Sequence, residues 1–312
     1  MKCVRNTLLI LSMVLFMAMS VSAAKNETID TFLNVTGNRP NTTIEVNEAG
    51  DSGDELVSLN ENATQLISCW GTADDLDGLN DLQDLQAWLF AESSFRDDAD
   101  NRSVHYTNTT CDLSTLTVDG AWNCTFNVPY YAENSTWTCA VNISDKGGVY
   151  NDTINDTVVF EDLLSLDVHN TTLDFGTKAV NVNDSSTSYE VLVHNLGNVQ
   201  IDLQVDAYEA NATVDGTEIQ SDSAFNCSVG QIPVNYLAFN TTETVNNYAT
   251  ATHLSGPGLS PIVQFDLDHR EDDGSPGFLY PTNRSSFWGV GVPDGVAGTC
   301  HGRIIYVGVP SS

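Results

Sequence analysis

The sequence predicts an all-β protein: two tandem β-sandwich domains behind a cleaved N-terminal leader. Three observations point there. Short runs that alternate apolar and polar residues recur at intervals of about eight to twelve residues, the rhythm of a sandwich. No stretch beyond the leader carries the 3.6-residue apolar period of a long amphipathic helix. At 312 residues the chain is long enough for two domains, each with a core of its own.

Composition narrows the partners. The chain carries 42 acidic against 11 basic residues, a net charge of -31. Nucleic acid and anionic membrane surfaces are poor partners for such a chain, because both are bound through clustered Lys and Arg. The acidity reads either as a solvated, self-repelling surface or as a set of cation sites.

The chain opens with Met1-Lys2-Cys3-Val4-Arg5-Asn6, an apolar run from Thr7 to Met19, and then Ser20-Val21-Ser22-Ala23-Ala24. A basic start, a short apolar run and a small-residue end make a secretory signal peptide over 1–24, cleaved after Ala23 or Ala24. A membrane anchor is the alternative, but the run is short for a bilayer span. Cys3 leaves with the peptide. No second apolar segment follows, and Val309-Pro310-Ser311-Ser312 is no anchor tail. The expectation is a secreted or cell-surface chain with no membrane span once processed.

Cys69, Cys111, Cys124, Cys139, Cys227 and Cys300 remain. An even number in a secreted chain suggests three disulfides, and no C-x-x-C pair hints at zinc. Spacing and strand pattern favour Cys69 with Cys139, Cys111 with Cys124, and Cys227 with Cys300. In the chain-entropy account such loops stabilise by roughly 3 to 4.5 kcal/mol each. Asn-x-Ser/Thr sequons are dense, at Asn26, Asn34, Asn41, Asn62, Asn101, Asn108, Asn134, Asn142, Asn151, Asn155, Asn170, Asn183, Asn211, Asn240 and Asn283. Each, if used, predicts an outward-facing residue. Asn123 and Asn226 also match, but each precedes a cysteine.

Residues 25–37 are polar apart from Phe32 and Leu33 and read as an extended arm. The first domain, 38–160, starts with the Asn38-Arg39-Pro40 turn and a strand over Thr42–Val46. Glu55–Leu59 and Thr64–Cys69 follow as strands around the Asn60 turn. Leu85–Phe90 is a core strand, with Trp88 placed to pack on a Cys69–Cys139 bridge. Thr115–Val118, Trp122–Val128, Ser135–Val141 and Val149–Phe160 complete an antiparallel set, with Asp145-Lys146-Gly147-Gly148 as a turn.

Between the strands lies Thr72-Ala73-Asp74-Asp75-Leu76-Asp77-Gly78-Leu79-Asn80-Asp81-Leu82-Gln83-Asp84. Aspartates alternating before a glycine can wrap oxygen ligands around Ca²⁺. Asp75, Asp77 and Gly78 match the third, fifth and sixth positions of an EF-hand loop. Ala73 at the first position cannot ligate, Asp84 replaces the bidentate glutamate, and no helix precedes the loop. That leaves a looser inter-strand Ca²⁺ site built on Asp75, Asp77, Asp81 and Asp84, or an acidic solvated loop.

A cysteine entering one strand, Trp88 on the next and Trp137-Thr138-Cys139 on a later one form a core signature. With Ser68-Cys69-Trp70-Gly71-Thr72-Ala73, Asp75-Leu76-Asp77-Gly78 and Trp137-Thr138-Cys139-Ala140-Val141, this region resembles the immunoglobulin-like and PKD-like domains of secreted archaeal and bacterial surface proteins. The resemblance covers about 120 residues. It implies an immunoglobulin-like sandwich and leaves function open, since that sandwich hosts many.

Glu161–Val168 is a junction with no Pro/Gly-rich linker, and the second domain occupies 161–312. Thr172–Thr177 opens it. Tyr189–His194 leads into Asn195-Leu196-Gly197-Asn198, a hairpin-type turn returning through Val199–Ala207. Phe175-Gly176-Thr177 with Val193-His194-Asn195-Leu196-Gly197-Asn198 looks like a pattern of secreted immunoglobulin-like repeats. Ala224–Cys227, Ile262–Leu267, Phe287–Val292 and Arg303–Val309 continue as strands. The pair of strands around Gly298–Gly302 resembles the final hairpin of such modules.

Catalytic constellations are missing. His105, His169, His194, His253, His269 and His301 are scattered, with no H-x-H or H-E-x-x-H. No G-x-S-x-G elbow or phosphate-cradling glycine loop occurs. Asp266, Asp268, Glu271, Asp272 and Asp273 form a second acidic run, read as a solvated loop with paired glycosidase carboxylates as the alternative. Tyr130, Tyr131 and Trp288 either stack on sugars or pack in the core. The resulting expectation is a non-enzymatic, glycosylated surface or extracellular structural protein, a filament or sheath subunit in its most specific form. Its partners would be copies of itself or other surface proteins and glycans. The alternative is an adhesive or carbohydrate- or protein-binding module with Ca²⁺-braced loops.

Overall fold

A computed structural model describes residues 37–50, 55–113, 119–169, 172–209, 222–242, 248–256, 260–271 and 282–311. The leader, arm residues 25–36 and the strand expected at Thr115–Val118 lie outside the described residues. The chain is all-β in kind, with nineteen strands among those residues.

The first nine are β1 (Asn41–Thr42), β2 (Glu45–Glu48), β3 (Leu56–Val57), β4 (Thr64–Asp74), β5 (Leu82–Ala91), β6 (His105–Asn108), β7 (Ala121–Pro129), β8 (Thr136–Asp145) and β9 (Tyr150–Phe160). In one sheet β4 pairs with β1, β2 and β7; the other runs β3-β9-β8-β5-β6. Every pairing is antiparallel except β3 with β9.

Period-2 alternation explains the faces. On β7, Trp122, Cys124, Phe126 and Val128 are buried while Asn123, Thr125 and Asn127 are exposed. On β8 the inward row is Trp137, Cys139, Val141, Ile143 and Asp145. These rows meet in one core cluster with Ile67, Cys69, Leu89 and Phe160. Cys69 and Cys139 are joined, Cα to Cα 6.5 Å, which ties one sheet to the other. Cys111 and Cys124 tie the preceding loop to β7.

Trp88 corrects an expectation. Ala87, Leu89 and Ala91 face the core, so Trp88 lies on the other face, half-buried, with the Arg96 guanidinium 4.8 Å from its ring. The fully buried aromatic is Trp137, stacked on Phe160 at 4.7 Å.

The second sandwich comprises β10 (Leu166–Val168), β11 (Asn183–Asn195), β12 (Ile201–Glu209), β13 (Ser223–Val229), β14 (Gln231–Pro233), β15 (Leu237–Asn240), β16 (Thr252–His253), β17 (Ser260–Leu267), β18 (Asn283–Gly291) and β19 (Ala297–Pro310). Its sheets run β10-β11-β18-β15-β16 and β14-β13-β19-β12-β17. Val191, Val193, Leu237 and Trp288 of one face Leu203, Val205 and Phe265 of the other. The Trp288 indole donates to the Tyr306 hydroxyl at 2.7 Å, satisfying two buried polar groups across the sheets. Burial pushes the Tyr306 phenol well above its ordinary pKa. Cys227 and Cys300 are directly opposite on β13 and β19 and are joined within that sheet.

Two expectations for this half are corrected. Asn195–Asn198 does not close a hairpin, because β11 and β12 belong to opposite sheets and the turn crosses between them. The opening segment Thr172–Thr177 lies outside the strands, and its Phe175 packs its ring 4.9 Å from that of Tyr189. Gly298–Gly302 lies within the continuous strand β19, and β18 and β19 are in opposite sheets, so no closing hairpin exists there.

The junction is built on Asn198, which is fully buried. Its amide donates to the Ala132 carbonyl at 3.1 Å and the Glu161 carbonyl at 3.0 Å, and its oxygen accepts from the Leu163 amide at 2.7 Å. Neighbouring Gly197 sits so close that a Cβ there would lie 1.9 Å from the Leu163 carbonyl oxygen. Arg270 of the second sandwich covers the Tyr131 ring of the first at 4.8 Å.

Candidate metal centre

Three carboxylates gather at one end of the first sandwich. Asp75 follows the last residue of β4, Asp81 ends the 3₁₀ turn Leu79–Asp81 that leads into β5, and Asp145 ends β8. Antiparallel pairing sets Leu82 opposite Asp145, which brings Asp81 beside it, and the Lys146 amide donates to the Asp81 carbonyl at 2.8 Å. Asp75 arrives from the other sheet. One oxygen from each of the three lies within 4.8 Å of the others.

Two of these groups are deeply buried, Asp75 at 6% exposure and Asp145 at 2%. Asp75 Oδ1 accepts from the Asp77 amide at 2.7 Å, and Asp145 Oδ1 accepts from the Val149 amide at 2.7 Å. The second oxygen of each, Oδ2, is buried with no hydrogen-bond partner. Such orphaned acceptors are rare in folded proteins and call for an account. An all-carboxylate donor set suits a hard cation and not a thiophilic one.

The incoming chain closes over this end. A Cβ on Gly37 would lie 2.8 Å from Asp145 Oδ2, so only glycine fits there without displacing that carboxylate. The Asn38 amide and side chain donate to Asp77 at 2.6 and 2.8 Å. The backbone bond from Asn38, followed by the side-chain one, holds the Asp77 carboxyl below the usual carboxylate range. Asn151 donates to the Pro40 carbonyl at 3.1 Å, and Arg39 donates to the Tyr150 carbonyl at 3.1 Å.

Sequence reasoning therefore named two of these three carboxylates. Of Asp75, Asp77, Asp81 and Asp84, the structure brings Asp75 and Asp81 together. Asp77 is turned to Asn38, and Asp84 is exposed on β5. The missing member, Asp145, read as a turn residue. The signal was its place in the inward row of β8, where an aspartate should not sit without a partner.

Among the sequons, Asn41, Asn62, Asn134, Asn155, Asn183 and Asn283 are exposed, and Asn101, Asn108, Asn142 and Asn240 are half-buried. Asn26, Asn34, Asn170 and Asn211 lie outside the described residues. Asn151 is a correction: it is 7% exposed, held by the bond to Pro40. Asp266 and Asp268 are exposed, bonded to Asp202 and Gln200, while Asp272 and Asp273 lie outside the described residues. Tyr130, Tyr131 and Trp288 are buried, so core packing and not sugar stacking is their use. His169 and His194, 25 residues apart in sequence, stack at 5.6 Å. Among the described residues no helix is long and apolar enough to cross a membrane.

No protein-family model matches the chain, and no curated protein matches it. Solved structures offer distant likenesses. A purple acid phosphatase from yellow lupin (Lupinus luteus) seeds shares 8% identity at a TM-score of 0.30, over 85% of this chain and 40% of its own. The major pilin subunit of Bacillus cereus shares 11% at 0.27, over 72% and 67%. A chitinase from Bacillus thuringiensis shares 14% at 0.18, over 80% and 27%. The chain thus spans less than half of the phosphatase and of the chitinase. Likenesses this weak say nothing of what it does.

Proposed function

We propose that this chain is a non-enzymatic, glycosylated structural protein of the cell surface or extracellular space, assembling with copies of itself into a filament or sheath. The observation that carries the reading is the set of three disulfides, one across the sheets of the first sandwich, one tying a loop to β7 and one within a sheet of the second. Disulfides persist in oxidising surroundings outside the cytosol, which agrees with the leader expected from the sequence of residues 1–24. Exposed sequons such as Asn41, Asn62, Asn155, Asn183 and Asn283 give glycans room. Open sheet edges support assembly. Among the described residues β17 pairs only with β12, so the other side of this eight-residue strand has no partner strand within its sheet. Such an edge accepts an added strand from another chain, and the arm at 25–37 is the segment suited to supply it.

Electron microscopy of native cell surfaces, with antibody labelling of this chain, tests the reading. Regular polymers carrying the label are expected. A secreted monomer that never polymerises would overturn it, and assembly unchanged by deletion of 25–37 would exclude the arm as the donor strand.

A further inference from the structure

We propose that Asp75, Asp81 and Asp145 bind one Ca²⁺ ion, which acts as a second cross-sheet staple in the first sandwich and anchors the incoming segment Gly37–Pro40. The inference stands apart from the surface reading: a chain that binds Ca²⁺ but never assembles would leave it intact.

An ionised carboxylate removed from water costs several kcal/mol unless a counter-charge or hydrogen bonds replace the solvent. Asp75 and Asp145 each leave one buried oxygen bare. Among the described residues no Lys, Arg or His forms an ion pair with any of the three carboxylates. Lys146, the nearest cation in sequence, donates its ammonium to the Asn80 carbonyl. A bound cation supplies the missing charge and the missing partner for both oxygens at once.

Geometry then selects the ion. Two oxygens on one Ca²⁺ lie at most about 5 Å apart, given bonds of about 2.3–2.6 Å, whereas Mg²⁺ limits them to about 4.2 Å and demands octahedral order. Oxygens grouped within 4.8 Å, delivered by two turns and a strand end, suit the larger and more tolerant ion.

Register shows what the ion would do. Asp75 lies six residues beyond Cys69 and Asp145 six beyond Cys139. Cys139 and Asp145 stand on the inward face of β8, while Cys69 stands on the inward face of β4 and Asp75, buried, directly follows the end of that strand in the other sheet. The disulfide closes the sandwich at one level; the ion closes it about 20 Å further along, at a rise of about 3.3 Å per residue. Asp75 Oδ1 also holds the Asp77 amide, and Asp77 holds Asn38, so the incoming segment hangs from the same centre.

The test uses the secreted full chain stripped with EGTA, with Ca²⁺ alone as probe, read by calorimetric titration and thermal unfolding. One Ca²⁺ per chain is expected, with a rise in Tm of about 5 °C or more at a hundredfold excess over Kd. Asp145→Asn and Asp75→Asn should weaken binding at least tenfold and abolish the rise, with Tm in EGTA no lower than that of the parent. Asp84→Asn should keep both binding and rise. If the buried variants fail to fold, half-buried Asp81→Asn decides by the same readouts. The absence of calorimetric binding, or a rise that survives in the Asp145, Asp75 or Asp81 variants, would overturn the site. An equal rise with Mg²⁺ alone would overturn the choice of ion.

Discussion

Asp98 accepts two hydrogen bonds through a single oxygen, from the Phe95 amide at 2.8 Å and the Ser94 hydroxyl at 2.9 Å. The Phe95 bond first, the Ser94 bond next and then the nearby His105 favour the ionised carboxylate and hold its pKa below 3.8. A depressed carboxyl stabilises the fold above its unfolded pKa, and that contribution is lost as pH falls through the lowered folded value. The window therefore opens below pH 3.8. The carboxyl-carbon NMR titration of Asp98 should show a midpoint below that value, and Ser94→Ala should raise it; a midpoint at or above 3.8 in the parent would break the argument. Asn151 gives a second residue-level expectation. The Nδ2 to which a glycan would attach donates to Pro40 at a site 7% exposed. Glycopeptide mapping of the folded, secreted chain should find Asn151 bare while Asn41, Asn62 and Asn155 carry glycan. A glycan at Asn151 would contradict the packing of the incoming segment against β9.

At the scale of single elements, the two tryptophans of β5 and β8 separate a strand's faces. Trp137 is fully buried and stacked on Phe160, so Trp137→Ala should cost about 3–5 kcal/mol in urea unfolding. Trp88 lies on the opposite face under Arg96, and Trp88→Ala should cost about 1 kcal/mol, mostly the cation–π contact and some apolar cover. Equal losses would mean the register of β5 is misassigned. This pair also shows what was legible in the sequence. Strands such as β7 and β8 could be read from alternation, because period 2 is a local property of the chain. The face a given tryptophan takes depends on phase, and Ala87, Leu89 and Ala91 outweighed Trp88. Partnership was harder still. Asn195-Leu196-Gly197-Asn198 has turn chemistry, but whether the next strand pairs back or crosses to the other sheet depends on β18 and β19, roughly a hundred residues away. The metal cluster divides the same way. Asp75 and Asp81 are close in sequence and were found together; Asp145 joins them only through the β5–β8 register.

Across the whole molecule, residues 37–312 form one compact unit, although the described residues hold two large hydrophobic cores and a small third cluster. The polar contact that bridges the two large cores is concentrated on one side chain. Asn198 reaches Ala132 in the first sandwich, Glu161 and Leu163 in the connection, and through its own backbone amide the Leu163 carbonyl at 3.2 Å. Truncating it would leave two carbonyls and one amide without their partner in a fully buried place, where each unpaired group costs about 1–3 kcal/mol before local relaxation. With relaxation, Asn198→Ala should destabilise the junction by about 2–3 kcal/mol. The effect should be one of coupling as much as of stability, since neither core loses an apolar atom. Hydrogen exchange followed separately for peptides of β8 and β11 tests this. In the parent chain the two sets should open with the same free energy, as parts of one cooperative unit. In the variant they should diverge, each sandwich opening at its own level. If β8 and β11 still exchange together and the urea midpoint does not move, then Asn198 is not what makes two sandwiches behave as one body, and the Arg270–Tyr131 contact becomes the next place to cut.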